Sequence, residues 1–371
     1  MVDALMVTSS FLPGRGGIES YLAALCSELA PRVAVFAPAR RDGISMPEDL
    51  GYHTVGYAGS MLVPARRIAD SVITNAQELG TDKVLFGTPW PLALLAPRLR
   101  RAGLRYAVIV HGAEVLVPAA IPIVRRRLAS ALSSADLLLP VSEFTATKLR
   151  ALLGERGPRI EVLRARVDLE RFRPDVDTSG IAARLGLPAG AQVVLSFGRL
   201  VKRKGMDRMI RAVHSLGSDR GVVAIVGGTG PDEARLRRLA SRLGAPVIFA
   251  GRVPASDAPA LYAVADVFCL PVVDRWFGLE VEGLGVVLLE AQACGTPCVT
   301  GRSGGTPEAV LDGETGFVVD GADVAALAGR IGWLLEHPDE AAAMGSAARN
   351  HVRDLFSGAE TQPALLSWLE S

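Results

Sequence analysis

The chain is 371 residues long, 49% hydrophobic and 21% charged, with a formal net charge of +1 at neutral pH. It is about twice the size of a typical domain, so two domains, each with a full core, are expected, and a charge so near zero gives no general affinity for nucleic acid. No apolar run reaches the ~18 residues that a membrane-spanning helix needs, and the opening Met1-Val2-Asp3-Ala4-Leu5-Met6-Val7 reads as a strand rather than a signal peptide, so a cytoplasmic protein is expected.

Charge is unevenly distributed. Residues 1–173 hold 22 Lys and Arg against 16 Asp and Glu, a surplus of +6, while the remainder holds 18 against 23, or −5. A basic first half suits either an anionic partner such as a phospholipid surface or a solvated, Arg-rich face with no partner. Only four of the 40 basic residues are lysines, which makes the two in Lys202-Arg203-Lys204 conspicuous. The cysteines, Cys26, Cys269, Cys294 and Cys298, lie in apolar settings without metal-ligand spacing. Reduced core thiols are expected, with neither a metal site nor a bound cofactor.

Residues 5–7 form the first short β-rich run, which breaks at Thr8 and enters a Gly-rich loop before an apolar-periodic segment from Tyr21 to Leu29. This predicts strand, loop, helix. The loop offers N–H groups to a diphosphate, but it lacks the dinucleotide fingerprint and no Walker lysine follows Gly17. Runs at 33–37, 84–86, 106–110 and 137–139 are buried-strand candidates separated by helical patterns. They predict a doubly wound parallel sheet with its ligand crevice at the C-terminal ends of the strands. His111-Gly112-Ala113-Glu114 follows the 106–110 run directly, where an imidazole can meet a substrate or serve the packing. Residues 116–128 are apolar and then tribasic at Arg125-Arg126-Arg127, which fits an anionic bilayer surface or a packed helix with one charged face; Pro118 and Pro122 break any long amphipathic helix.

The chain leaves its first domain near 162–174. Asp175-Val176-Asp177 follows in a Pro-containing linker and reads as solvated charge, not a metal motif. The run at 193–197 then feeds Gly198-Arg199-Leu200-Val201-Lys202-Arg203-Lys204-Gly205. A diphosphate fits such a loop, with Arg199 bridging two oxygens through its planar fork and Lys204 adding a compact charge that can be removed without touching the core; a solvated basic turn is the alternative. Two more strand-to-glycine exits occur at 224–230 and 247–253, and a strand at 267–271 delivers residues 274–290. There Glu282-Gly283-Leu284-Gly285 precedes an apolar run, predicting a helix whose unpaired first N–H groups attract phosphate. Glu282 would face a sugar, and Glu290, about two turns along, could reach a ribose diol. An ordinary buried helix with a Gly-rich cap is the plain alternative. Strands at 297–300 and 316–319 complete the second sheet, and helices at about 322–355 and 364–369 cover it.

Glu282 to Val286, Glu290, the helix exit at Gly295 and Ser303-Gly304-Gly305-Thr306-Pro307-Glu308 resemble the Glu-x7-Glu signature of the retaining family-four glycosyltransferases, and the likeness spans nearly the whole chain. Gly198-Arg199 with Lys204-Gly205, and His111-Gly112, match further motifs of that family. The form Glu280-Val281-Glu282-Gly283-Leu284-Gly285 looks most like the mannosyltransferases that build phosphatidylinositol mannosides. Ala113 departs from the second His of many relatives, and Arg164-Ala165-Arg166-Val167-Asp168 replaces their Pro-Asn-Gly-Val-Asp-like turn.

The resemblance implies an α/β GT-B fold, two Rossmann-like doubly wound domains facing across a cleft. Residues 1–172 would form the acceptor-side domain, 173–355 the nucleotide-sugar domain, and 356–371 a terminal helix packing back on the first domain through Trp368. The implied reaction is metal-independent, retaining transfer of mannose from GDP-mannose to a lipid-linked hydroxyl at the cytoplasmic face of the membrane, with peripheral contact to anionic lipid. Arg199, Lys204, Glu282 and His111 would be catalytic, and Gly16, Gly17, Gly198, Arg252, Val253, Gly283, Leu284, Gly285, Val286 and Glu290 would hold the donor. The alternatives are a UDP-sugar donor, a soluble acceptor, or a nucleotide-sugar-binding protein without transferase activity.

Overall fold

The structure, a computed structural model, describes residues 2–14, 16–41, 43–154, 157–217, 221–358 and 362–371. The chain divides into two compact units, one of Met1–Ala165 with Ala359–Ser371 and one of Arg166–Gly358.

In the first unit, apolar runs too short for helices and covered on both faces become parallel strands. They are β1 (Ala4–Val7) and β2 (Val33–Pro38), then, after a two-stranded ribbon of β3 (Arg40–Arg41) and β4 (Ile44–Ser45), β5 (Thr54–Tyr57), β6 (Lys83–Phe86), β7 (Arg105–Val110), β8 (Leu137–Pro140) and β9 (Arg159–Ile160). The sheet order is β5-β2-β1-β6-β7-β8-β9. Val7 pairs in register with Phe36 on one side and Phe86 on the other. Leu5, Phe36, Phe86, Tyr106 and Val108 share one buried cluster with Ile68 and Val72 from the helix Arg66–Glu78. The chain's last helix, Pro363–Glu370, belongs to this unit: Trp368 and Leu369 are buried, Lys83 Nζ donates to Leu369 O at 2.7 Å, and Gln362 Nε2 donates to Glu28 Oε2 at 2.7 Å.

The second unit holds β10 (Gln192–Phe197), β11 (Val222–Gly227), β12 (Val247–Gly251), β13 (Val267–Leu270), β14 (Cys298–Gly301) and β15 (Gly316–Val319). All pairings are parallel, in the order β12-β11-β10-β13-β14-β15. Val194, Val226 and Val267 pack against Met209 of the helix Met206–Ser215 and Ile331 of the helix Val324–Glu336. The helix expected over 322–355 is two helices, Val324–Glu336 and Pro338–Phe356. Pro338 lacks an N–H and disfavours helical backbone at His337, so the chain restarts there. In place of one broken pattern at 116–128, the helices Ala113–Ala119 and Pro122–Ser133 form, with Pro118 inside the first and Pro122 opening the second.

Both units are doubly wound parallel sheets, and each reverses strand order beside its first strand, between β1 and β6 and between β10 and β13. Ligands of such sheets bind outside the strand ends at these switch points. Among the described residues, no helix is long and apolar enough to cross a membrane.

Candidate active site

At the switch point of the second unit, the segments leaving β10 and β13 are knitted together, with Val273 N donating to Arg203 O at 2.9 Å. The 3-10 turn Lys202–Lys204 thereby carries two of its cations to Glu282. Lys204 Nζ lies 2.7 Å from Glu282 Oε2, and Arg203 Nη1 donates to the same oxygen. Lys204 and Glu282 are 7% and 8% exposed, so the pair is out of water. The charges alternate further along. Arg203 Nε is 3.9 Å from Glu280 Oε1, and Glu280 Oε2 is 3.1 Å from Arg275 Nη1.

Behind Glu282 stands the Ser-Gly-Gly run that follows β14. Ser303 Oγ accepts from Glu282 N at 3.1 Å and donates to Asp274 Oδ1 at 2.5 Å. Gly304 has φ of 53°, and a Cβ there would fall 1.9 Å from Glu282 O. Only glycine lets the two backbones approach so closely.

Burial alone would raise the Glu282 carboxyl, but Lys204 and Arg203 outweigh it and hold the pKa at about 2. Burial pushes the Lys204 ammonium down, against the pull of Glu282. Lys204 is therefore no detachable loop charge, contrary to the sequence expectation. Its removal would leave a buried carboxylate with one cation fewer.

Arg199, one residue beyond Gly198 at the end of β10, is exposed and has no ion pair among the described residues. Gly285, with φ of 88°, caps the helix Val286–Ala293, whose first N–H groups have no partner inside the helix. Gly283 and Val286 are half-buried and Leu284 is buried. Glu290 stands in the second turn of that helix, where its Oε2 accepts from the Tyr262 hydroxyl at 2.6 Å. Burial raises the Glu290 carboxyl, and the Tyr262 hydrogen bond works against that rise. Arg252 is exposed and Val253 half-buried just after β12.

In the first unit, Gly16 is the extended residue before the helix Gly17–Glu28, which begins four residues ahead of the expected Tyr21. Arg41 Nη1 lies 3.1 Å from Glu19 Oε1 in that first turn. His111 leaves β7 and sits buried, with its ring edge against Tyr21 at 5.3 Å and Nε2 3.1 Å from Gly87 O. A carbonyl partner requires the proton on Nε2, and burial lowers the imidazole pKa. Glu114 fixes the turn by accepting from the N–H groups of His111 and Gly112.

Asp175 pairs with Arg173 at 3.5 Å, and Asp177 accepts from Ser179 N at 2.9 Å. Among the described residues no group of His, Cys, Asp and Glu could hold a metal ion. Arg203 and Tyr262 were not singled out in the sequence, and Glu280 only as part of a motif, without its ion pairs. Arg203 was masked by the cations on either side of it, and Tyr262 lies on a helix that carries no motif.

Two family models match, "Glycosyl transferases group 1" over residues 178–351 and "Glycosyltransferase Family 4" over 15–171. The chain is 42% identical to a GDP-mannose-dependent alpha-(1-6)-phosphatidylinositol monomannoside mannosyltransferase of Mycolicibacterium smegmatis, over 94% of each chain. It belongs to the family-four glycosyltransferases. A Corynebacterium glutamicum relative, named a GDP-mannose-dependent monoacylated alpha-(1-6)-phosphatidylinositol monomannoside mannosyltransferase, is 36% identical over 95% of this chain and 94% of its own. Among solved structures, sucrose-phosphate synthase from Thermosynechococcus elongatus superposes with a TM-score of 0.83 at 20% identity, covering 99% of this chain and 98% of that one. Anabaena HepE in complex with UDP and glucose gives 0.81 at 21% identity over the full length of both. The glycosyltransferase thus has the GT-B fold of two Rossmann-like, parallel-sheet domains.

Proposed function

We propose that this glycosyltransferase moves mannose from GDP-mannose, with retention at the anomeric carbon, onto a phosphatidylinositol mannoside or a related lipid at the cytoplasmic face of the membrane. The observation that carries the reading is the switch-point arrangement: an ionised Glu282 held by two cations and followed by an open helix start, with Arg199 exposed on the same loop as Lys204. The relatives named above supply the donor and acceptor class.

Arg199 and the N–H groups at Gly283–Val286 take the diphosphate and stabilise its charge as it departs. Both cations converge on Glu282 Oε2, so Oε1 is the oxygen that accepts from a mannose hydroxyl. Lys204 keeps further N–H donors for the leaving phosphate while it anchors Glu282. Glu290, already bonded to Tyr262, accepts from the ribose. Gly16, Gly17 and a neutral His111 contact the sugar-phosphate, and Arg252 with Val253 seats the base. The departing phosphate takes the acceptor proton in a front-face reaction. Arg125, Arg126 and Arg127 are exposed on the helix Pro122–Ser133, next to exposed Ile121 and Ile123, which suits contact with an anionic bilayer.

Incubation with GDP-mannose, UDP-glucose or UDP-N-acetylglucosamine, each with phosphatidylinositol monomannoside, tests the reading. GDP release with a mannosylated lipid of unchanged anomeric configuration is expected, and chelation by EDTA should leave the rate unchanged. Tight donor binding without release would instead favour a non-catalytic binder. Release from a UDP-sugar alone would overturn the donor assignment.

A further inference from the structure

Lys202, in the same turn as Lys204, lines an open cavity of about 420 Å3, together with Asp207, Arg208, Arg235, Asp274 and Arg275. Four cations face two carboxylates. Asp207 is 3.2 Å from Arg235 and 3.6 Å from Arg208, and Arg235 also forks onto Asp232 at 2.7 Å through two nitrogens. Asp274 is held by Ser303, and Arg275 reaches Glu280. Asp232 and Glu280 bring the carboxylates to four, matching the cations, but Lys202 has no ion pair among the described residues and its charge is open to an anion.

Arg275 leads directly into the most exposed aromatic side chains described, Trp276 at 59% and Phe277 at 109%. Both hold left-handed backbone, with φ of 50° and 57°. Bulky residues rarely adopt that conformation, and here the surrounding turn imposes it. Arg275 N donates to Glu280 O at 3.0 Å, Glu280 N donates back at 3.2 Å, and the Arg275 guanidinium lies 5.3 Å from the Trp276 ring centre. A closed turn thus holds two large apolar groups outward beside a cavity in which Lys202 is without an ion pair among the described residues. Water is a poor solvent for that tip. An interfacial bilayer suits it, since aromatic rings settle at headgroup depth and cations beside them meet phosphate.

We propose that this turn and cavity form a second membrane contact: Trp276 and Phe277 enter an anionic bilayer, and Lys202 with Arg208 and Arg275 takes a phospholipid phosphate. This rests on the reading that the acceptor is a membrane lipid, but on residues separate from Arg125, Arg126 and Arg127.

The test uses the full chain and vesicles of equal parts phosphatidylcholine and phosphatidylglycerol. Trp276→Ser combined with Phe277→Ser should weaken vesicle binding at least tenfold, and Lys202→Gln about fivefold, with the circular-dichroism spectrum unchanged. Brominated lipid should quench the fluorescence of the wild type more than that of Trp276→Phe, which keeps Trp90, Trp333 and Trp368. Equal quenching of the two would sink the insertion. Inorganic phosphate separates the two sources of the anion. If it binds in a Lys202-dependent way while Lys202→Gln leaves vesicle binding intact, the cavity serves a soluble anion and the lipid assignment falls. Loss of vesicle binding in the triple Arg125–127→Gln variant, with the tip variant unaffected, overturns this inference and leaves the lipid-acceptor reading standing. Wild-type binding that is equal on neutral and anionic vesicles overturns both.

Discussion

Lys204 Nζ lies 2.7 Å from Glu282 Oε2, and each residue is the main replacement for the water the other has lost. Removing one partner of a buried ion pair typically costs about 3–5 kcal/mol, because the other charge is left unpaired. Glu282→Gln should therefore destabilise the protein by about that amount, and Lys204→Met by less, since Arg203 still holds Glu282. Together the two changes should cost at least ~1 kcal/mol less than their sum. Urea unfolding of the four proteins measures the coupling, and strict additivity would remove it.

The same pair fixes an acid dependence. The folded-state pKa of Glu282, about 2, lies below its ordinary value of 4.5, so the folded state binds fewer protons between those values. The stability it contributes is fully present above pH 4.5 and is lost as pH falls towards 2. The stability gap between wild type and Glu282→Gln should thus stay constant from neutral pH down to about 4.5 and shrink below it. A gap that widens in acid would mean that Glu282 is not the ionised member of the network.

Arg199 offers a cleaner separation of chemistry from folding, because it is exposed and has no ion pair among the described residues. Arg199→Ala should leave the melting temperature within error and lower turnover with GDP-mannose by roughly 100-fold, the typical worth of one donor to a developing anion. Near-normal turnover in this variant would remove Arg199 from the diphosphate site.

Gly304→Ala places a methyl group 1.9 Å from Glu282 O at a φ of 53°. The loop must retreat, and Glu282 with it. Both stability and turnover should fall, and a crystal structure or a Glu282-dependent acid profile would show the displaced carboxylate. A variant as active and as stable as the wild type would show that the wall behind Glu282 is soft.

Much of this was legible because the sheet is built from short apolar runs that end at glycines. The runs at 193–197 and 267–271 marked β10 and β13, and the residues just beyond them, Arg199, Lys204 and Glu282, are those the structure sets at the switch point. The partnership of Lys204 with Glu282 was not legible, since it depends on β13 lying beside β10 with two other strands intervening in sequence. Arg203 could not be told from its basic neighbours for the same reason. β5 and β9 escaped notice because they are edge strands: Thr54–Tyr57 is half exposed and contains a glycine, and Arg159–Ile160 is two residues long. A packed central strand writes its environment into its residues, and an edge strand does so only weakly.

The last helix, Pro363–Glu370, completes the sheet unit that begins at the other end of the chain. A fragment ending at 165 would therefore lack the cover over Lys83, whose ammonium would lose the Leu369 carbonyl. Dissection at a single point cannot yield both halves intact. An independently folding first half needs residues 359–371 supplied by a short splice or as a separate peptide, and a tag fused after Ser371 hangs from the first unit, not from the second, which precedes it in the chain.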